Sequence, residues 1–124
     1  MDKLVPKSWG SRFEYHCDNV EVGTVNLLVT DKVLWTPIGE GIATGAKVGN
    51  KMEVWSLEIY PEYQGLGHGR ALMQQIYAMA HHQGCETVWL RVNKDNAVAR
   101  SLYEKEGFVI VNERTHDYEM ERTG

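Results

Sequence analysis

Three glycines at alternate positions, Gly65, Gly67 and Gly69, stand between a run of β-forming residues and a run with helical spacing. Glycine there removes the Cβ atoms that would keep an anion away from backbone N–H groups, and the first turn of the following helix adds unpaired donors and a positive dipole end. The expected guest is a phosphate or pyrophosphate. Neither G-x-G-x-x-G nor G-x-x-x-x-G-K-[ST] occurs in this register, so a dinucleotide fingerprint and a Walker loop are both excluded. Arg70, in the first helical turn, is the best-placed cation; Lys94 and Arg100 read as solvated side chains.

The elements that must position this loop follow from the pattern around it. Met52–Ile59 is rich in β-formers, and Pro61 then removes a backbone donor. From Gly69 to Gln83, Leu72, Met73, Ile76, Met79 and Ala80 recur at helical spacing, with Gly84 as the expected stop. Glu86–Val92 alternates Val88, Leu90 and Val92 with Thr87, Trp89 and Arg91, which predicts a strand. Strand, helix and strand imply a parallel pair with the loop at the carboxyl end of the first strand, where open α/β sheets bind ligands. Asp95 or Asn96 can cap a second helix that stops at Gly107, with Phe108 packing against its end. Two short segments, Phe108–Asn112 and His116–Met120, close the chain as strands.

Upstream, Ser11–Asp18 and Val22–Thr30 alternate as strands, joined by the turn residues Asp18-Asn19. The first ten residues carry no clear pattern. Pro37–Asn50, with Gly39, Gly41, Gly45 and Gly49, reads as a long flexible connection with at most a short strand near Ile42–Thr44, either a mobile lip over an acceptor site or a plain hairpin loop.

With 124 residues, 43% hydrophobic and 24% charged, residues 1–124 are expected to form a single domain with its own core. A net charge of −4 gives no basic footprint for nucleic acid. No apolar run is long enough for a membrane span, and Cys17 and Cys85 read as free thiols of a reducing compartment, so a cytoplasmic protein is expected. His81-His82 is no metal pair, since adjacent helical residues point about 100° apart. No metal is expected.

The segment Gln64-x-x-Gly67-x-Gly69, preceded by Ile59-Tyr60-Pro61-Glu62-Tyr63, resembles the acetyl-coenzyme A loop of the GCN5-related N-acetyltransferase (GNAT) superfamily. The later segment N-x-x-N-A-x-A-x-x-L-Y-E-K-x-G-F, from Asn93 to Phe108, is similar to the other recurring element of that superfamily. The resemblance runs from Met52 to about Met120. It implies an α/β (α+β) fold: a mixed twisted sheet of about six strands, a glycine-loop helix and a C-terminal helix, with the N-terminal helical part reduced. The implied activity is transfer of an acetyl group from acetyl-CoA, the cosubstrate, to a primary amine of a small molecule, protein N-terminus or lysine, by direct attack.

Residue by residue, the resemblance implies that the backbone of Leu57, Glu58 and Ile59 pairs with the pantetheine arm, the Ile59 N–H polarising the thioester. Gln64, Gly65, Leu66, Gly67, His68, Gly69 and Arg70 would hold the pyrophosphate. Asn93 would contact the pantetheine or the amine, Asn96 and Ala99 would border the coenzyme, and Tyr103 would face the departing sulfur. A phenol titrates near 10 and a thiol near 8.5, so full proton transfer costs roughly 2 kcal/mol and hydrogen-bond stabilisation of the thiolate is the expected role.

A lysine amine must lose roughly 3 kcal/mol more than an α-amine to deprotonate at neutral pH, so a base matters most for lysine. The candidates are Glu53 and Glu58, whose odd separation predicts opposite faces of the strand. Glu53 is favoured by the resemblance. Two departures stand out. The superfamily's two helices that wall the acceptor pocket have no counterpart in the strand-like pattern before Met52, which suggests a macromolecular acceptor or a homodimer completing the site. Arg91 stands where some α-amine-acetylating relatives carry an acidic residue. A non-catalytic acyl-CoA-binding module is the competing reading.

Overall fold

The computed structural model describes residues 2–7 and 11–123, with backbone alone at positions 34 and 35. Chain order is β1 (Asp2–Pro6), β2 (Arg12–Cys17), β3 (Val20–Gly39), β4 (Ile42–Ile59), a 3-10 turn (Pro61–Tyr63), α1 (His68–His82), β5 (Cys85–Asn93), α2 (Ala97–Lys105), β6 (Val109–Glu113) and β7 (Asp117–Thr123). They build one seven-stranded sheet in the order β1-β2-β3-β4-β5-β7-β6. Only the β4–β5 pair is parallel, as a strand-helix-strand unit requires; its neighbours are antiparallel. The additional strand over the expected six is β1, which pairs along β2 from Asp2↔Cys17 to Pro6↔Phe13.

Local chemistry accounts for the joints. Asp18 and Asn19 take φ of 52° and 67°, the left-handed pair that a two-residue hairpin turn demands. Asn96 caps α2, its side chain accepting from the Ala99 N–H at 3.1 Å. At the other end Gly107 (φ 93°) sends its N–H to Glu104 C=O, and Phe108 sends its own to Tyr103 C=O. Phe108 is buried there, as the capping contact predicts.

One correction is large. Pro37–Asn50 is not a flexible connection but the distal part of a hairpin in which β3 and β4 stay paired to Gly39↔Ile42 around Glu40-Gly41. It stands at the amino end of β4, the opposite end from the glycine loop, and of the two readings it is the plain hairpin, built as strands.

α1 buries Leu72, Met73, Ile76 and Ala80 against Met52, Val54, Val88, Leu90, Val92 and Met120, one face of the sheet. α2 lies on that same face: Ala99 and Tyr103 pack against this core, and a Cβ on Gly69 would sit 3.7 Å from Leu102. The other face carries no helix among the described residues. Its side chains are mostly polar, with Lys32 Nζ donating to Thr87 Oγ1 at 3.0 Å and Trp89 lying 4.9 Å from both Lys51 and Arg91. Among the described residues no helix is long and apolar enough to cross a membrane.

Candidate functional site

The site begins with an irregularity in β4. Asn26 pairs with Trp55 and Thr24 with Glu58, so β4 spends three steps where β3 spends two, and Ser56 takes φ of 52°. That is a β-bulge, and it shifts the alternation of side chains by one. Met52 and Val54 face the helices before it; Leu57 and Ile59 do so after it. Glu53 and Glu58 therefore share the helix-free face, which corrects the expectation of opposite faces.

The bulge also ends pairing with β5, whose last partner is Val54↔Leu90. Beyond that point the strands diverge, and the gap is a cavity of about 190 Å³. Leu57, Val92, Ala99 and Tyr103 line it from the helix side, and Trp55 and Arg91 from the other. The gap is thus bordered by residues of both faces of the sheet. On the helix side it continues into a second cavity of about 400 Å³, bounded by Gln64, Gly65, Gly67, His68 and Gly69, and by Asn96, Val98 and Leu102 of the α2 region. Leu57, Asn96, Ala99 and Tyr103 border both.

The loop end of this groove is built for an anion. Gly65 and Gly67 have φ of 77° and 84°, and a Cβ at either would meet nothing within 4 Å, so the space beside the backbone is open. The first helical bond of α1 is Ala71 N–H to Gly67 C=O, which leaves the N–H groups of His68, Gly69 and Arg70 ahead of the ladder, with no acidic side chain in that turn. His68 is held by edge-on contacts with Tyr63 and Tyr15, 6.2 and 6.4 Å between ring centres. Leu66 and Arg70 are exposed, and the Arg70 guanidinium lies 3.7 Å from Glu106. Gln64 braces the loop by donating to Ile59 C=O at 2.9 Å.

Tyr60 N–H donates to Val22 C=O on β3 at 2.9 Å. Strand amides point alternately to either side, so the Ile59 N–H faces the groove. Tyr103 is enclosed, and burial pushes its phenol up from the ordinary value, so it stays protonated at neutral pH. Asn93 reaches the opening, but its side-chain oxygen already accepts from Asp95 N–H at 3.0 Å.

Neither carboxylate proposed as a base lines the opening among the described residues. Glu53 lies 3.7 Å from Arg91, which is also 3.5 Å from Glu119. Glu58 is exposed and has no ion pair among the described residues. Lys94 pairs with Glu113 at 2.7 Å and Arg100 with Glu104 at 3.6 Å. Cys17 and Cys85 lie outside both cavities, and burial pushes the Cys85 thiol up, away from nucleophilic use.

Sequence reasoning missed two features. The bulge had a signal, since apolar positions switch from even (Met52, Val54) to odd (Leu57, Ile59). Glu106 had none: with its side chain only 9% exposed, it receives the Gln74 amide and the Tyr77 hydroxyl, each at 3.2 Å, and so ties the end of α2 to α1. Glu14, His16 and Glu21 also bring metal-capable atoms within 4.8 Å of one another on the helix-free face. Glu14 is already engaged by Lys7 and His16, and Glu21 by the Tyr60 hydroxyl.

A profile of the family described as "Acetyltransferase (GNAT) family" matches residues 10–108. The chain belongs to the GNAT acetyltransferase family. A [Ribosomal protein bS18]-alanine N-acetyltransferase of Haemophilus influenzae is 36% identical over 78 residues, 63% of this chain and 53% of that protein. The Escherichia coli K12 protein of the same name is 39% identical over 55 residues, 44% of this chain and 37% of its own length. The chain spans about half the length, or less, of the curated relatives it matches. Among solved structures, a PaiA N-acetyltransferase from Thermoplasma acidophilum in complex with coenzyme A superposes with a TM-score of 0.66 at 21% identity, over 91% of this chain and 60% of that one. The N-acetyltransferase PseH of Campylobacter jejuni gives 0.68 at 22% identity, over 90% and 66%. These two likenesses are of fold alone, and they run over about nine-tenths of this chain.

Proposed function

We propose that residues 1–124 form a single acetyltransferase domain that moves an acetyl group from acetyl-CoA to a primary amine. The observation that carries this reading is the gap at the Ser56 bulge, which is bordered by residues of both faces of the sheet and shares Leu57, Asn96, Ala99 and Tyr103 with the anion-ready groove. The residues fit the cosubstrate: two glycines leave room at the backbone, three free N–H groups lie beside them, and the apolar groove walls suit a pantetheine arm. Acetyl-CoA, when bound, supplies a thioester open to direct attack by an amine.

The chain's own groups do the rest. His68, Gly69 and Arg70 N–H groups hold the pyrophosphate. The Ile59 N–H, aimed into the groove, donates to the thioester carbonyl and stabilises the negative charge that develops there. Tyr103, kept neutral by burial, donates a hydrogen bond to the departing sulfur. The amine enters from the face of Trp55 and Arg91. With Glu53 held by Arg91 and Glu58 in solvent, no strong base is poised at the opening among the described residues, which favours acceptors that ionise least, the α-amines, over lysine. The names of the bS18-alanine relatives point the same way.

Free-thiol release on a panel of small amines, N-terminal peptides and lysine peptides tests this. Turnover is expected, greatest with α-amines. A melting temperature raised by acetyl-CoA, with no turnover on any of them, would leave a binding module and sink the transferase reading.

A further inference from the structure

Past Lys32 and before Asn50 the β3–β4 hairpin leaves the body of the protein. β2 accompanies β3 only to Asn26, and β5 joins β4 only at Asn50, so among the described residues neither edge of the distal hairpin has a neighbouring strand. No residue of this arm belongs to the core, and Val33, Ile38, Ile42 and Val48 are 37%, 66%, 59% and 53% exposed. A two-stranded ribbon without cover is marginal in water, and free edges invite another strand.

The two edges differ. β4 carries an extra residue at Val48, since Lys32 pairs with Gly49 and Val33 with Lys47; such a bulge blunts an edge. β3 is regular from Leu28 to Pro37, a free edge about 30 Å long that includes exposed Leu28 and Val29. Its charges are balanced: Asp31 and Lys32 lie on it, Glu40 at the turn, and Lys47 across from it pairs with Asp31 at 3.2 Å. That arrangement offers nothing to a polyanion or an anionic membrane surface.

We propose that this β3 edge pairs antiparallel with the same edge of a second copy of the chain, about a two-fold axis at Val33. Antiparallel self-pairing keeps opposed residues on one face, so the axis must pass through a residue. An axis at Asp31 or Lys32 sets like charges directly opposite, which destabilises a sheet. An axis at Val33 lies within one residue of the middle of the free edge from Leu28 to Pro37. It sets Val33 against Val33 of the partner subunit and Thr30 against Thr36 of the partner subunit, both β-branched pairs suited to a cross-strand contact. Edges of this length bury several hundred Å² from each copy, the weak end of specific interfaces, so association is concentration-dependent. This assembly is independent of the transferase reading and leaves the groove, at the other end of β4, accessible.

Light scattering of the whole chain from about 1 to 100 μM, the range expected of a small interface, reads the assembly directly. The mass should rise toward twice 14.1 kDa, and Val33→Lys should weaken the dimer about tenfold by opposing two lysines. Under mild oxidation Val33→Cys should form a disulfide-linked dimer, because opposed antiparallel Cα atoms lie about 5 Å apart, within disulfide reach. Val48→Cys, on the blunted edge, should not, and wild type with Cys17 and Cys85 should stay uncross-linked. A wild type that remains monomeric throughout, a Val33→Lys protein that associates like wild type, or a Val48→Cys protein that cross-links as fast as Val33→Cys would each overturn the proposal.

Discussion

β4 is without β5 at both of its ends, and the two gaps are unlike. At the carboxyl end the strands run together and then part at the Ser56 bulge; α2 walls the gap, which borders a groove. At the amino end β5 has simply not begun, and among the described residues the hairpin continues without a neighbouring strand. Unpaired backbone inside a walled gap suits a small molecule, whereas unpaired backbone on a bare edge suits another strand. Enclosure distinguishes them.

Glycines with left-handed φ at either end make the sharpest test. Gly67 (φ 84°) and Gly41 (φ 69°) both have open space where a Cβ would go. A valine at either strains the backbone by about 1–2 kcal/mol. Gly67→Val should in addition fill the anion's space: the rise in melting temperature with acetyl-CoA should vanish, and thiol release should fall by about a hundredfold or more. Gly41→Val should keep the ligand response intact. Equal loss in the two variants would end the distinction.

The next largest effect belongs to Tyr103→Phe, which keeps the ring against Phe108, 5.7 Å between centres, and removes only the hydroxyl. On the proposed role kcat should drop by about 10 to 100-fold with KM little changed. A KM effect alone would make Tyr103 a wall and not a donor.

Glu106→Ala tests what keeps the carboxyl-end gap walled. It strips the partner from Gln74 and Tyr77, which should cost about 1–3 kcal/mol and lower the melting temperature by several degrees, with weaker acetyl-CoA binding because α2 is no longer tied to α1. Unchanged binding would mean that packing alone holds α2.

The smallest effect is in alkaline solution. The hydrogen bond from Tyr60 to Glu21 pushes the Tyr60 phenol up to about 12, and burial raises Tyr103. Each phenol proton is held more tightly folded than unfolded, so this contribution is complete below pH about 10 and is lost as pH climbs toward the folded values. Melting temperatures should decline slightly from about pH 8.5 upward, where the Cys85 thiol raised by burial begins to oppose the fold, and more steeply above about pH 10, and Tyr60→Phe should shallow the steeper part. A steeper part that Tyr60→Phe leaves unchanged would point to other groups.

The half of the chain that carries the glycine loop was the more legible in sequence. The α1 stripe of Leu72, Met73 and Ile76, the alternation of β5 and the cap at Asn96 are local signals, and the local pattern decided each. The arm was misread because Pro37 and four glycines depress strand propensity residue by residue, whereas its ladder depends on partners across the hairpin. Glu53 and Glu58 were assigned opposite faces because counting by two assumes an unbroken ladder, and one inserted residue reverses the count. Glu106 reads as a solvated helix-end carboxylate until the structure brings up Gln74 and Tyr77 from 32 and 29 residues away.

The opening at Ser56 has a kinetic consequence. If donor and acceptor use opposite faces of the sheet, neither bars the other's door, and the two can arrive and leave in either order. Free coenzyme A should then compete with acetyl-CoA but not with the amine, and the acetylated product should compete with the amine but not with acetyl-CoA. That crossed pattern of product inhibition would be the solution signature of a hole through a sheet.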